Sequence, residues 1–164
     1  MAYTYSTPES ENRARAVLLD APITYKVAVL IGKRIKGMPT NKAVAFLKNV
    51  VDMKEAIPYT KFSDGVGHKP GIGPGRYPEK AAKLFIQTIH NAVANAEDKG
   101  LGSDVTIERV VSHQGSRTWH HGRLGRRKFK RSHVEIIVTN AEQPKKAPHS
   151  KKPYKKKANK EALH

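Results

Sequence analysis

The stretch VTIERVVSHQGSRTWHHGRLGRRKFKRSHVEIIVTN, residues 105–140, decides how this chain folds. Its two ends read as strands. Val105, Ile107, Arg109 and Val111 alternate with Thr106, Glu108, Val110 and Ser112. Val134, Ile136 and Val138 alternate in the same way with Glu135, Ile137 and Thr139. Between them His113–His133 is highly polar, with glycine only at Gly115, Gly122 and Gly125. One long hairpin satisfies this pattern, with its roots in the body and its tip near Gly122–Gly125. Each leg beyond the root has about ten residues, a projection of roughly 30–35 Å at ~3.4 Å per residue. An isolated two-stranded ribbon is marginal in water, and this one lacks a sustained apolar face. The arm is therefore expected to need an anionic partner to be ordered.

Charge supports that reading. The 164 residues carry 31 Lys+Arg against 14 Asp+Glu, a formal net charge of +17. Arg109–Val134 holds eight of the basic residues and no acid, and Gln143–His164 holds eight lysines and the single acid Glu161. These two segments supply +15, so the remaining body is close to neutral. A protein charged only for solubility disperses its charge over the surface. Clustered cations suit phosphates, whose counterions they release on contact.

The body reads as helices on a small sheet. Arg13–Leu19 is expected to be a short strand, with Ala14, Ala16 and Leu18 on one side. Asp20 or Thr24 can cap a helix running to about Lys36, its stripe formed by Val27, Leu30, Ile31 and Ile35, and Gly37 stops it. Thr40 or Asn41 can cap a second helix, carrying Ala43, Val44, Phe46, Leu47, Val50 and Val51 and ending before Pro58. Pro58–Pro78 is crowded with Gly and Pro, and no helix or strand of useful length is expected there. A loop of that length inside one domain is usually functional or disordered, and Tyr59, Phe62, Val66, Ile72 and Tyr77 argue against a mere tether. Pro78 and Glu79 open a third helix, whose face is Leu84, Phe85, Ile89, Ala92, Val93 and Ala96. The fold class is α+β: three helices packed on a small antiparallel sheet, with a long protruding basic β-hairpin. The organisation is an irregular lead 1–12, one domain 13–140 containing the loop 58–78 and the arm 109–134, and a Lys-rich flexible tail 141–164.

Several chemistries are excluded or disfavoured. With no cysteine, thiolate zinc sites, disulfides and cysteine nucleophiles are absent. The longest apolar run, Val27–Ile31, cannot span a bilayer. Residues 1–12 are polar and show no secretory h-region, so a cytoplasmic protein is expected. The glycine-rich Gly65–Pro70 and Gly73–Arg76 lack a Gly-Lys-Ser/Thr ending, and Pro70 and Pro74 remove amide donors, so a nucleotide P-loop is not expected. His120 and His121 are adjacent and cannot share one ion on a strand, so no metal or cofactor is expected. The acids are scattered, with no carboxylate pair and no Ser/His/Asp set in view; an enzyme and a small-molecule substrate are not expected.

The arm instead mixes cations with planar groups: Arg117, Trp119, His120, His121, Arg123, Arg126, Arg127, Lys128, Phe129, Lys130 and Arg131. Arginine clamps phosphates and stacks on bases. Trp119 and Phe129 are of the kind that stack on unpaired bases; Trp119 equally fits packing on a protein neighbour or on the arm itself. Backbone groups with Lys69 and Arg76 are expected to meet RNA phosphates from the loop. His113 at the arm root, His68 in the loop, Arg13 and Arg15 on the first strand, and Lys26, Lys33, Arg34 and Lys36 on the first helix complete the expected RNA-binding set.

This order of elements resembles the universal L-twenty-two family of large-subunit ribosomal proteins, over roughly Arg13–Asn140. Four stretches carry the resemblance: Ala14–Met38, ending its helix in Ile35-Lys36-Gly37; Ala43–Leu47 with the following Lys; Gly65-Val66-Gly67-His68-Lys69 with Gly75–Ala81; and Asn91-Ala92-Val93-Ala94-Asn95-Ala96-Glu97. The third looks like the insertion of archaeal and eukaryotic members. The Asn-Ala-x-x-Asn-Ala motif is the most specific. The resemblance implies a globular domain near the exit of the peptide tunnel, a hairpin running through ribosomal RNA, and a tip that helps line the tunnel. Arg117–Arg131 would be that arm, and Arg117, Trp119, His120, His121, Gly122 and Arg123 its tunnel-facing tip. The implied partners are large-subunit ribosomal RNA and neighbouring ribosomal proteins, with no membrane. The tip is richer in His and Arg, and the tail longer, than in many members. A free-standing nucleic-acid-binding module of the chromatin or RNA-chaperone type accounts for the charge but not for the ordered match through neutral helices. An RNA-processing enzyme is the remaining rival.

Overall fold

The computed structural model describes residues 3–140, so the Lys-rich tail expected at 141–164 lies outside the described residues. Three long strands form one antiparallel sheet: β1 (Arg13–Ala21), β5 (Val105–Gln114) and β6 (Ser132–Asn140). Their order is β1-β6-β5, which places the last strand of the sequence in the middle. The helices α1 (Tyr25–Ile35), α2 (Thr40–Val51) and α3 (Glu79–Asp98) cover one face. The expected α+β architecture stands; α1 and α3 lie within a residue or two of their expected bounds, and α2, expected to end before Pro58, already stops at Val51.

Local chemistry explains the helix ends. Thr24 caps α1, its Oγ1 accepting from the Val27 amide at 3.4 Å. Gly37 leaves α1 at φ +80, a conformation that suits glycine. Its amide donates to Ile107 O at 2.8 Å, and the Ile107 amide donates back to Met38 O at 2.9 Å. The α1–α2 turn is thereby tied to the outer edge of β5. α2 starts one residue before the expected cap: Pro39 occupies the N-cap position, and Thr40 is a buried helical residue.

The core lies between helices and sheet. Ala14 and Ala16 on β1 meet α3, whose Ala92 and Ala96 are fully buried. Small side chains on both partners allow close approach, and Asn95 Nδ2 donates to Arg15 O at 2.8 Å across that contact. Ile31, Ile35, Leu47, Phe85, Ile89, Ile107 and Ile136 fill the centre. α1 presses on β5 at Gly32, where an added Cβ would stand 2.9 Å from Val110 Cγ1 and 3.1 Å from Val110 Cβ. Alanine normally gains about 0.5–1 kcal/mol over glycine inside a helix. Here the second contact is to an atom fixed to the backbone, so overpacking, typically about 1–3 kcal/mol, wins. Gly32→Ala is expected to lower the thermal midpoint by several degrees; a raised midpoint in thermal denaturation refutes that packing.

Two features go beyond the sequence pattern. The alternation in β6 puts Glu135 and Ile137 on the face opposite Val134, Ile136 and Val138, yet both are only 1% exposed, and the strand is buried on both faces from Val134 to Val138. The reason is the N-terminal lead. It is irregular, as expected, but it crosses the far face of the sheet: Tyr3 and Ser6 bond Glu135, the Arg15 Nη1 donates to Thr7 O at 3.0 Å, and its guanidinium lies 4.5 Å from the Tyr5 ring centre. The second is in the loop 58–78, where no strand of useful length is expected. Short strands do form there: β2 (Ile57–Pro58), β3 (His68–Lys69) and β4 (Gly73–Arg76), in the order β2-β4-β3. Glycine makes this possible. Gly71 and Gly73 take φ +75 and +72, and Gly75 is packed so closely that a Cβ would lie 2.9 Å from Ile72 Cδ1. Buried Ile57, Tyr59 and Val66 anchor the small sheet to the body.

Candidate nucleic-acid interface

The arm is one hairpin, as the sequence predicts. β5 and β6 pair without a break from Val110↔Ile136 to Gln114↔Ser132, and the Gly115 amide continues the ladder to Arg131 O at 2.9 Å. Beyond it pairing is intermittent. The Phe129 amide donates to Thr118 O at 2.8 Å, Trp119 bridges Lys128, and the His120 amide donates to Arg127 O at 2.9 Å. A 3-10 turn, Gly122–Leu124, reverses the chain, with Gly122 at φ +68.

A collar at the root sets the arm's direction. β1 breaks its register between Leu18 and Ala21, and Asp20 there takes φ +46. Arg131 Nη1 donates to Asp20 O at 3.0 Å, and the Asp20 amide donates to His133 Nδ1 at 3.1 Å. Ser132, buried, donates from Oγ to Ile23 O at 3.0 Å. A Cβ on Gly115 would meet Arg131, Asp20 and His133 atoms all at 3.2 Å. The end of β1 and the residues just after it therefore grip the leg of the hairpin where it leaves the body.

The arm's side chains divide into two kinds. Arg117, Arg123, Arg126, Arg127 and Lys130 are exposed, and among the described residues none forms an ion pair. His121 is exposed as well. The aromatic residues behave differently from one another. Phe129 is half-buried and stacks on His120 with ring centres 3.6 Å apart, while the Arg131 guanidinium lies 5.7 Å from its centre. Phe129 is thus engaged within the arm. Trp119 is 54% exposed, with Lys128 Nζ 4.3 Å from its ring centre. It is the arm's accessible aromatic surface.

The remaining expected residues fall on two other surfaces. On the far face of the sheet, Arg13 forms a two-point pair with Glu108, Nε–Oε2 at 2.7 Å and Nη2–Oε1 at 2.9 Å. Arg15 pairs with Glu9 at 3.1 Å, and Glu9 also takes Lys99 at 2.6 Å. The Lys99 ammonium and then Arg15 hold the Glu9 carboxyl below its ordinary range. Both arginines are occupied in holding the lead and the sheet. His113 lies near this face, its Nε2 3.7 Å from Glu135 Oε1. On the opposite side, α1 and the small sheet carry a second basic surface. Lys26 lies 5.1 Å from the Phe62 ring centre, Arg34 5.2 Å from that of Phe46, Lys69 5.3 Å from that of Tyr77, and Arg76 5.8 Å from that of Tyr59. Lys33 Nζ donates to Thr60 Oγ1 at 3.0 Å, and Arg76 Nη2 to Gly65 O at 3.1 Å. Lys36 and His68 are exposed beside them.

Sequence reasoning missed Glu135. Its carboxylate accepts from the Tyr3 hydroxyl, from the Ser6 hydroxyl at 2.6 Å and from the Ser6 amide at 3.1 Å. Burial pushes this carboxyl up, but the bonds from Ser6 and Tyr3 and the nearby His113 outweigh burial and hold it below its usual value. Tyr3 moves the other way: burial, then the bond to Glu135 and its charge, raise the phenol to about 12. The one available signal was an acid placed inside the run Val134–Val138.

Known proteins match this chain along most of its length. The family described as "Ribosomal protein L22p/L17e" matches residues 16–139. A protein of Thermoplasma volcanium named "Large ribosomal subunit protein uL22" is 41% identical over 145 residues, covering 85% of this chain and 98% of its own. The protein of that name in Thermoplasma acidophilum is 38% identical, covering 82% and 93%. That of Cenarchaeum symbiosum is 36% identical, covering 85% and 97%.

Proposed function

Because the chain belongs to the ribosomal protein L22p/L17e family, we propose that its arm threads through large-subunit ribosomal RNA and carries its tip to the wall of the peptide exit tunnel. A protein of this family is a structural constituent of the large ribosomal subunit and not an enzyme, and its place is the cytoplasmic ribosome. Among the described residues no helix is long and apolar enough to cross a membrane. The observation that carries the finer reading is the arm itself: a narrow ribbon whose exposed arginines have no acidic partner among the described residues, fixed at its root by the Asp20 collar. Such a ribbon is shaped to enter a crevice between RNA helices, where phosphates lie on both sides. Arginines clamp them, and Trp119 offers a face to an unpaired base. Neighbouring ribosomal proteins are expected around the body.

Sedimentation tests this reading. After a high-salt wash, the protein is expected to travel with the large subunit, because an arm enclosed by RNA cannot leave without unfolding its surroundings. Release into the light fractions would favour a free-standing nucleic-acid-binding module, held by charge alone and therefore stripped by salt.

A further inference from the structure

The basic surface away from the arm contains a groove that the reading above does not use. It lies between the end of α2, α1 and the small sheet, and its volume is about 480 Å³. Sites that bury a small ligand span roughly 300–1,000 Å³. The floor is apolar: Phe46 contributes a nearly buried ring, Tyr77 a half-buried one, and Ile72 stands 41% exposed in the opening. The rim is cationic. Arg34, Lys54 and Lys69 surround the floor, with Arg34 over the Phe46 ring and Lys69 over the Tyr77 ring. The one acid in the lining, Glu55, accepts from Asn49 Nδ2 at 3.3 Å on the α2 side. Lys54 is held toward solvent, its ammonium 3.2 Å from Asp52 and its side chain 70% exposed.

We infer that this groove receives a single unstacked RNA nucleotide, its base against Ile72 and Tyr77 and its phosphates among Arg34, Lys54 and Lys69. The inference rests on the RNA-binding reading and adds a second point of contact. The chemistry distinguishes the occupant. A duplex presents phosphates but no free base face, so it leaves the apolar floor wet. A protein segment would need to be both acidic and apolar. An unstacked nucleotide brings a flat π-face and two flanking phosphates in one unit. The Gly- and Pro-rich loop builds one wall, since Lys69, Ile72 and Tyr77 all belong to the span 58–78.

The test uses the full chain and a single-stranded uridine-rich oligonucleotide carrying 4-thiouridine, cross-linked by near-ultraviolet light and mapped by peptide mass spectrometry. Adducts are expected within 69–77 as well as in the arm. Ile72→Asp, at an exposed position, and Lys54→Glu, on the rim, are each expected to cut groove adducts about fivefold or more, and to leave arm adducts within about twofold, given what base stacking contributes. Arm adducts without groove adducts would overturn the groove and leave the RNA reading standing. No adduct in either place would overturn both. Equal groove yields from a fully paired duplex would overturn the unstacked nucleotide.

Discussion

Replacing Arg117, Arg123, Arg126 and Arg127 together by alanine is expected to weaken binding to large-subunit ribosomal RNA about a thousandfold near 0.1 M salt, without unfolding the protein. The magnitude follows from counterion release. Each phosphate neutralised contributes about 0.7–0.9 to the slope of log affinity against log salt, so removing four contacts lowers the slope by about 3 and the affinity by roughly 10³ at 0.1 M. The wild-type and variant curves therefore converge as salt approaches 1 M, by the same relation. The loss falls alike on all sequences, because phosphate contacts carry no base information. Stability is spared for a structural reason: among the described residues these four side chains are exposed and form no ion pair, and the ladder at His120 uses the backbone of Arg127. Filter binding across a salt series, with a thermal scan of each protein, checks both halves. An unchanged slope would mean that the arm's charge does not meet phosphate. Arg13→Ala is the internal control. Its guanidinium is occupied by Glu108, so its loss should leave the slope where it was.

That contrast marks how far charge could be read from sequence. Arg13 and Arg117 are indistinguishable as letters. What separates them is Glu108, which lies 95 residues from Arg13 and reaches it only because β1 and β5 flank β6. The helices were legible for the opposite reason. The stripe on α3 repeats at helical spacing, and Phe85, Ile89, Ala92 and Ala96 are all fully buried, with Leu84 and Val93 at its margins. The arm was legible because its cations stand without acids and its glycines mark the turn. The sequence offers both Trp119 and Phe129 for base stacking, with packing on the arm or a neighbour equally open for Trp119, and geometry divides them: Phe129 stacks on His120, and Trp119 stays open. The loop strands were hidden because Gly and Pro dominate their composition. They are held by bonds such as Tyr59 N to Pro74 O at 2.8 Å, which no periodicity announces. The double burial of β6 was hidden because its second cover is a polar lead with no secondary structure, joined through Glu135.

Glu135 gives the second large expected effect, and it is one of stability. The carboxylate is almost fully buried and satisfied by two hydroxyls and an amide from the lead. A hydrogen bond to a charged group contributes about 1.5–3 kcal/mol, but Tyr3 and Ser6 lie near solvent and would regain water, so Glu135→Ala is expected to cost about 2–3 kcal/mol in all. For a domain of this size that is a fall of roughly 5–10 °C in the thermal midpoint. Glu135→Gln keeps the volume and one acceptor oxygen, and should lose about half as much. The pH dependence carries a definite sign. The folded carboxyl titrates below its ordinary value of 4.5, so its contribution is full above that value and is lost as pH falls through the folded one. In the wild type stability should decline below about pH 4.5 more steeply than in Glu135→Ala. Parallel curves for the two proteins between pH 7 and pH 3 would show that the carboxylate is not what holds the lead. The consequence reaches the arm. Glu135 sits one residue from Val134, opposite Val111 and Val17, on the central strand from which the hairpin rises. When the lead detaches, Glu135 loses its partners and the far face of that strand loses the bonds that tie the lead to it. An acid on the arm's own root, the first after an acid-free run of arginines and lysines, is thus retained because it fastens the chain's beginning beneath the structure that its cations extend.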